Sequence, residues 1–118
     1  MRKTTRKGFI RKLDALVKEL VFKRDGSICV TCGGEATDPG HLFTRRWYST
    51  RWDLKNIYPQ CRACNMRHEQ DPYPLINYFI ELWGRQALED LHKLAKTPHK
   101  GPWKVWELEG LFEELKNK

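Results

Sequence analysis

Four cysteines fall in two identical hooks, and their type and spacing point most directly to chemistry. Cys29-x-x-Cys32 and Cys61-x-x-Cys64 supply four thiolates, which satisfy tetrahedral Zn²⁺ completely and leave no position open. In a reducing compartment, cysteines paired in this way are better explained by metal than by disulfides. Unliganded buried thiols are the alternative, but they give no reason for two such hooks. We therefore predict a structural zinc.

A second group of polar side chains lies between and just after the hooks. His41 falls on a predicted strand and could take a proton from water as a general base. Asn65 lies in the first turn of a predicted helix, and His68 follows three residues later on the same face. With a carboxylate from the strand, these groups could hold a divalent cation such as Mg²⁺. Helix capping by Asn65 and an ordinary surface role for His68 are the alternatives.

The positive charge of the chain is concentrated at its N-terminal end. Residues 1–24 carry nine Lys or Arg against two acidic residues, which accounts for the whole net charge of +7. Such an excess is expected of a segment that meets a polyanion, although a solvated helix face is the alternative. The candidate DNA contacts in this segment are Lys3, Arg6, Lys7, Arg11 and Lys12.

The length of 118 residues predicts a single domain, 1–118. Within it we distinguish a basic tail and helix (1–24), a zinc-bound core (25–71) and a helical extension (72–118). The sequence contains no apolar stretch long enough to span a membrane and no signal-peptide pattern. We therefore expect a cytoplasmic protein that contacts no membrane.

Hydrophobic periodicity and turn residues predict the elements that position these groups. We expect a basic tail over 1–8, a turn at 38–40 and loops over 44–52 and 97–102. The predicted strands are 28–30, one around 41–43, and 53–58, which Pro59 ends. The predicted helices are 9–25, 61–70, 75–83, 88–95 and 103–115.

The centre of the chain resembles a known family of nucleases. A G-H strand, an N-I strand and a C-x-x-C-N helix resemble the HNH, or ββα-metal, endonucleases, and the match is closest to the phage recombination endonucleases called NinG or Rap. The resemblance is carried by Cys29-x-x-Cys32, by Gly40-His41-Leu42-Phe43-Thr44-Arg45, and by Arg51-Trp52-Asp53-x-x-Asn56-Ile57-x-x-Gln60-Cys61-x-x-Cys64-Asn65. It implies a small α+β fold with a zinc-stapled ββα-metal (HNH, treble-clef-like) core, an N-terminal basic helix and C-terminal helices.

The resemblance also implies roles for individual residues. His41 matches the general base, Asn56 the asparagine that braces the loop between the strands, and Asn65 a ligand of a catalytic Mg²⁺ or Mn²⁺. Many HNH proteins carry a metal-binding residue immediately before the base, where this chain has Gly40. Asp38 or His68 is then expected to complete the metal site.

The function implied is that of a structure-selective DNA endonuclease acting on branched recombination intermediates, such as Holliday junctions and D-loops. Arg45, Arg46 and Arg51 would contact phosphates. Symmetric cleavage would require a homodimer. The resemblance further implies a protein that is encoded by a phage or prophage and acts in the bacterial host cell. No small-molecule substrate is expected. A non-catalytic zinc module that binds nucleic acid, and a sequence-specific HNH restriction or homing nuclease, are the alternative functions.

Overall fold

The computed structural model describes residues 4–97 and 103–118 and shows a small α+β fold. Lys3 and most of the predicted loop over 97–102 lie outside the described residues. The elements, in chain order, are α1 (Arg6–Asp25), β1 (Asp38–His41), α2 (Tyr48–Arg51), a 3-10 helix (Leu54–Asn56), β2 (Ile57–Gln60), α3 (Arg62–Arg67), α4 (Tyr73–Trp83), α5 (Arg85–Lys96) and α6 (Val105–Lys116). None of the described helices is long and apolar enough to cross a membrane.

Helix α1 begins earlier than its apolar periodicity predicts. The Thr5 side chain accepts a hydrogen bond from the Gly8 backbone N–H and caps the helix, because a hydroxyl at this position satisfies an otherwise unpaired amide. The predicted tail over 1–8 is therefore helical from Arg6 onward. The helix ends where predicted, since Gly26 adopts a φ of 80° and donates its N–H to the Phe22 carbonyl.

The sheet has two antiparallel strands, and each contains a proline. The sequence predicted Pro39 in a turn before the first strand and Pro59 just after the second. In the register, Pro39 faces Pro59 and Gly40 faces Tyr58. Alternate pairs of an antiparallel ladder exchange no hydrogen bonds, so two residues without an N–H can face each other there. Consistent with this, the Pro59 carbonyl points outward and accepts from the Val30 N–H at 3.0 Å. The predictions of a turn at 38–40 and of a second strand ending before Pro59 were wrong for this reason.

Other predicted elements also differ from the structure. The predicted strand over 28–30 is reduced to an isolated bridge between Ile28 and Glu35. The predicted loop over 44–52 contains α2, and the last helix begins at Val105 rather than at Trp103. Helix α3 ends at Arg67, short of the predicted 70. Gly84, with a φ of 88°, separates α4 from α5 as predicted.

The sheet lies between two hydrophobic clusters. Ile57 belongs to a cluster formed mainly by α1 and α6, whereas its neighbour Tyr58 belongs to a cluster formed mainly by α4 and α5. Successive residues of a strand face opposite sides, so this division follows from the pleat. Helix α1, with α6, therefore packs on one face of the sheet, and α4 with α5 packs on the other.

Candidate metal centres and active site

The four cysteine sulfurs form a compact cluster. All four Sγ atoms lie within 4.8 Å of one another, and the Sγ atoms of Cys32 and Cys61 are 3.8 Å apart. Tetrahedral zinc with Zn–S bonds of about 2.3 Å requires sulfur atoms about 3.8 Å apart. The cluster can therefore hold a zinc ion, as the two hooks predict.

Backbone amides at the cysteines favour thiolates. The Gly34 N–H lies 3.4 Å from the Cys32 Sγ, and the Cys64 N–H lies 3.4 Å from the Cys61 Sγ. Burial raises the pKa of Cys29, but backbone amides outweigh it and lower that pKa to about 6. Burial and the neighbouring thiols raise the pKa of Cys64 to about 12. Four sulfurs this close cannot all ionise without a cation among them, and Zn²⁺ supplies that charge.

A second group of donors lies on the face of the sheet covered by α3. The Asn65 amide donates to the Asp38 carboxylate at 3.2 Å, and Thr37 donates to the other carboxylate oxygen at 2.9 Å. Burial raises the pKa of Asp38, but these bonds and the Arg62 guanidinium, 3.6 Å away, outweigh it and keep that pKa below its ordinary value. Asp38 is therefore a carboxylate at neutral pH, in contact with Asn65.

Gly40 lies on the same face and leaves room for a side chain from the opposite strand. A Cβ built on Gly40 would lie 1.9 Å from the Gln60 Oε1. This oxygen is buried and has no hydrogen-bond partner among the described residues. Oxygen donors are the ligands that Mg²⁺ and Mn²⁺ prefer, and Asp38 and Asn65 bring two such side chains into contact. Such a cation, when bound, supplies Lewis-acid stabilisation of a phosphate.

His41 lies on β1 three residues after Asp38, so its side chain leaves the opposite face of the strand. Its Nε2 lies 3.0 Å from the Arg51 carbonyl oxygen. A carbonyl only accepts, so Nε2 carries the proton and Nδ1 keeps a lone pair in the neutral ring. Burial lowers the pKa of His41 and outweighs the Arg51 and Pro39 carbonyls, which raise it. At neutral pH the imidazole is therefore neutral and able to accept a proton.

The carbonyl that orients His41 is itself held by helix α1. Asp14 receives two hydrogen bonds from the Arg51 guanidinium, at 2.7 and 3.1 Å, and one from the Trp52 indole at 2.8 Å. This pairing commits the charged group of Arg51, which we predicted to contact phosphate, to a contact within the protein. Trp52 is buried in the cluster beneath α1. Asp14 thus anchors the segment whose backbone bonds His41.

Asn56 braces the same segment from inside. Its side chain is fully buried, accepts from the Phe43 N–H at 2.8 Å and donates to the carbonyls of Phe43 and Thr50 at 3.0 and 3.1 Å. The Asn56 side chain thus holds two points of the segment between β1 and β2, Phe43 and Thr50, in place. Arg45 and Arg46 lie in this segment with exposed side chains, and the charge of Arg45 acts to lower the pKa of His41.

The other predicted site residues have separate surroundings. The His68 Nε2 lies 2.8 Å from the Leu42 carbonyl and ties the end of α3 to the end of β1. Among the described residues, no hydrogen bond joins His68 to Asp38 or Asn65. In α1, Arg6 donates to the Trp103 carbonyl at 2.9 Å. The side chains of Lys7, Arg11 and Lys12 are exposed.

Three residues of this region were not identified from the sequence: Asp14, Gln60 and Arg62. Asp14 could have been identified as an acidic residue in a basic helix, directly after Leu13 of the predicted apolar stripe. Gln60 carried no signal beyond its place before Cys61, because its relation to Gly40 depends on the register of the sheet. Arg62 is 76% exposed beside Asp38 and is a further candidate phosphate contact.

Comparison with known proteins identifies distant relatives among phage proteins. No family model matches the chain, and no solved structure matches it significantly. The NinG proteins of Escherichia phage 933W and Enterobacteria phage VT2-Sa are each 25% identical to it over 118 residues, which cover 96% of this chain and 57% of the relative. The NinG protein of Escherichia phage lambda is also 25% identical over 118 residues, covering 56% of its length. The chain thus spans less than two thirds of these relatives and is similar, at low identity, to phage NinG proteins.

Proposed function

We propose that this protein is a metal-dependent DNA endonuclease of the HNH type that acts on branched recombination intermediates in a phage-infected or lysogenic cell. The observation that carries the proposal is the neutral, oriented imidazole of His41. Its Nδ1 keeps a lone pair that can take a proton from water, while the Arg51 carbonyl fixes the tautomer through Nε2 at 3.0 Å. The low-identity similarity to phage NinG proteins supports a role connected with recombination.

The oxygen donors on the other face of β1 support the cofactor in this proposal. Asp38 and Asn65 would hold one Mg²⁺ or Mn²⁺, which neutralises charge on the phosphate and on the departing 3′ oxygen. Among the described residues, β1 pairs with a strand along one edge only. A phosphate lying at its other edge could therefore meet groups from both faces. Hydrolysis would leave 5′-phosphate and 3′-hydroxyl ends.

The exposed arginines support nucleic acid as the substrate. Arg45, Arg46 and Arg62 lie on the segments that carry the proposed base and metal ligands, and guanidinium groups suit phosphate oxygens. Arginines that contact phosphate carry no sequence information, so this set favours a substrate that is recognised without a fixed sequence. Symmetric cleavage of a four-way junction needs two active sites, so we expect the active form to be a homodimer.

The test is cleavage of a labelled four-way junction, compared with a linear duplex of the same sequence, by zinc-loaded protein with Mg²⁺ or Mn²⁺. We expect junction cleavage that falls by a factor of about 10² to 10⁴ in His41→Ala, the usual contribution of a general base. His41→Gln keeps an N–H for the Arg51 carbonyl and should be equally impaired. His92→Ala is the matched control, since this second imidazole stacks on Phe43 at 4.9 Å.

Three results would count against the proposal. Binding without cleavage under either cation would favour a non-catalytic zinc module. Cleavage of the linear duplex at one recurrent sequence would favour a restriction-like or homing nuclease. Equal rates for wild type and both His41 variants, with zinc content unchanged, would show that another group is the base.

A further inference from the structure

Gly40 and Gln60 are complementary in shape. Gly40 is buried, and a Cβ there would lie 1.9 Å from the Gln60 Oε1 and 2.8 Å from its Cδ. Gln60 is paired with Asp38, which precedes Gly40 on the same face of β1. The side-chain amide of Gln60 therefore occupies the place where a side chain at position 40 would begin.

The oxygen of this amide has no partner of the usual kind. Gln60 is 1% exposed, and its Nε2 donates to the Thr31 hydroxyl at 3.0 Å, which leaves Oε1 over Gly40 without a hydrogen bond among the described residues. Burying an unpaired polar group is unfavourable, because the group loses its hydrogen bonds to water. Native proteins rarely retain such a group unless it serves an ion, a water or a reaction.

The residue paired with Gln60 across the sheet belongs to the site to which we assign the divalent cation. Asp38 is the cross-strand partner of Gln60, and its carboxylate contacts Asn65 in the middle of α3. The end of α3 is tied to Leu42 through His68. Helix α3 thus runs along β1 from Asp38 to Leu42, with Gly40 between these two contacts. The buried oxygen lies next to Gly40, within this stretch of β1.

We propose that the Gln60 Oε1 is a third protein ligand of the divalent cation held by Asp38 and Asn65, and that it replaces the side chain that Gly40 lacks. The inference rests on the proposed function, since it names a further ligand of the same cation. A neutral amide oxygen added to one carboxylate and one amide leaves a net charge of −1 from the protein. Most of the charge of a divalent cation then remains available to phosphate.

The competing interpretation is that Gln60 only links the first hook to β2 through Thr31. The two interpretations differ in what a loss of the oxygen does to metal binding. Gln60→Met keeps the length of the side chain and removes the oxygen, whereas Gln60→Glu keeps an oxygen and adds charge. Thr31→Val is the matched control, because it removes the Nε2 hydrogen bond and leaves the oxygen in place.

The experiment is a Mn²⁺ titration of zinc-loaded protein, without DNA, followed by the electron paramagnetic resonance signal of free Mn²⁺. We expect Gln60→Met to weaken Mn²⁺ binding by about tenfold or more, as Asp38→Ala and Asn65→Ala should. Gln60→Glu should bind Mn²⁺ more tightly than wild type, because a carboxylate ligand adds negative charge, and Thr31→Val should differ from wild type by less than about threefold. Zinc content and melting temperature are measured for each variant.

The outcomes separate this inference from the proposed function. If Asp38→Ala and Asn65→Ala weaken Mn²⁺ binding but Gln60→Met does not, Gln60 is a structural link and only the inference fails. If Gln60→Met loses zinc or its folded state, Gln60→Glu decides. Tighter Mn²⁺ binding supports Gln60 as a ligand, whereas unchanged binding is what a purely structural glutamine predicts and overturns the inference. If wild type neither binds Mn²⁺ nor cuts DNA, both proposals fail together.

Discussion

The two candidate metal centres lie side by side and are built on opposite plans. The cysteine cluster has four donors of one kind, supplied by two hooks that are each only four residues long, and it leaves no ligand position open. The proposed oxygen site would draw Asp38 and Gln60 from two strands and Asn65 from α3. The proposed base, His41, contacts the carbonyl of Arg51, whose side chain is paired with Asp14 in α1. The cysteine cluster is thus formed by two short motifs and has no open position, whereas the proposed oxygen site depends on residues from several helices and strands.

This difference indicates what each centre can do. A closed sulfur site can fix the relative positions of the first hook, β2 and α3 without taking part in a reaction. An open site must keep ligand positions for substrate, so its donors need support from outside. Asp14, Asn56 and Thr37 supply that support here, through hydrogen bonds to the groups or segments involved.

The largest effect is expected when one cysteine of the zinc cluster is replaced. Cys61→Ser should abolish zinc binding and unfold the region from 27 to 67, because structural zinc contributes about 10–16 kcal/mol at neutral pH. Zinc content and near-ultraviolet circular dichroism measure the effect. Met66→Ser, an exposed position in the same helix, is the control and should behave as wild type. A folded Cys61→Ser protein that loses only activity would show that the sulfur site is catalytic and the distinction wrong.

The second test uses pH to isolate the oxygen site. Burial holds the pKa of His41 below its ordinary value of 6.5, and the base must be neutral to act. Junction cleavage should therefore be constant near neutrality and fall about tenfold per pH unit only below the lowered pKa. The measurement is kcat/KM against pH with zinc content monitored. An acid limb centred above 6.5, or one that persists in the residual activity of His41→Gln, would exclude His41 as the titrating base.

The same contrast explains which features were predictable from the sequence. The hooks are local, so the spacing of Cys29, Cys32, Cys61 and Cys64 predicted their clustering, which the structure confirms. The boundaries of the strands were not predictable, since Pro59 fits β2 only through a register in which it faces Pro39. Gln60 and Asp14 were missed for a related reason. Their roles depend on a neighbouring strand and on a segment 37 residues away, which periodicity does not reveal.

The third test separates the two centres through α1. Asp14→Asn weakens the pairing with Arg51 and Trp52, and the loss of charge-assisted hydrogen bonds should cost about 1–3 kcal/mol of unfolding free energy at neutral pH. Cleavage should fall, because the Arg51 carbonyl is then less firmly held against His41. Zinc content and Mn²⁺ affinity should not change. Glu19→Gln, exposed on the same helix, is the control; equal effects in both variants would refute the role of Asp14.

The smallest expected effect concerns the exposed charges of α1, which belong to neither centre. Deleting residues 1–12 would also remove packed residues such as Phe9 and Ile10, so we prefer to neutralise Lys7 and Arg11, which are exposed. If both bind phosphate, Lys7→Gln/Arg11→Gln should reduce the slope of log K against log salt by about 0.9 for each phosphate that is no longer neutralised. Lys93→Gln/Lys96→Gln on α5 is the control. A slope unchanged from wild type would show that Lys7 and Arg11 contact no phosphate.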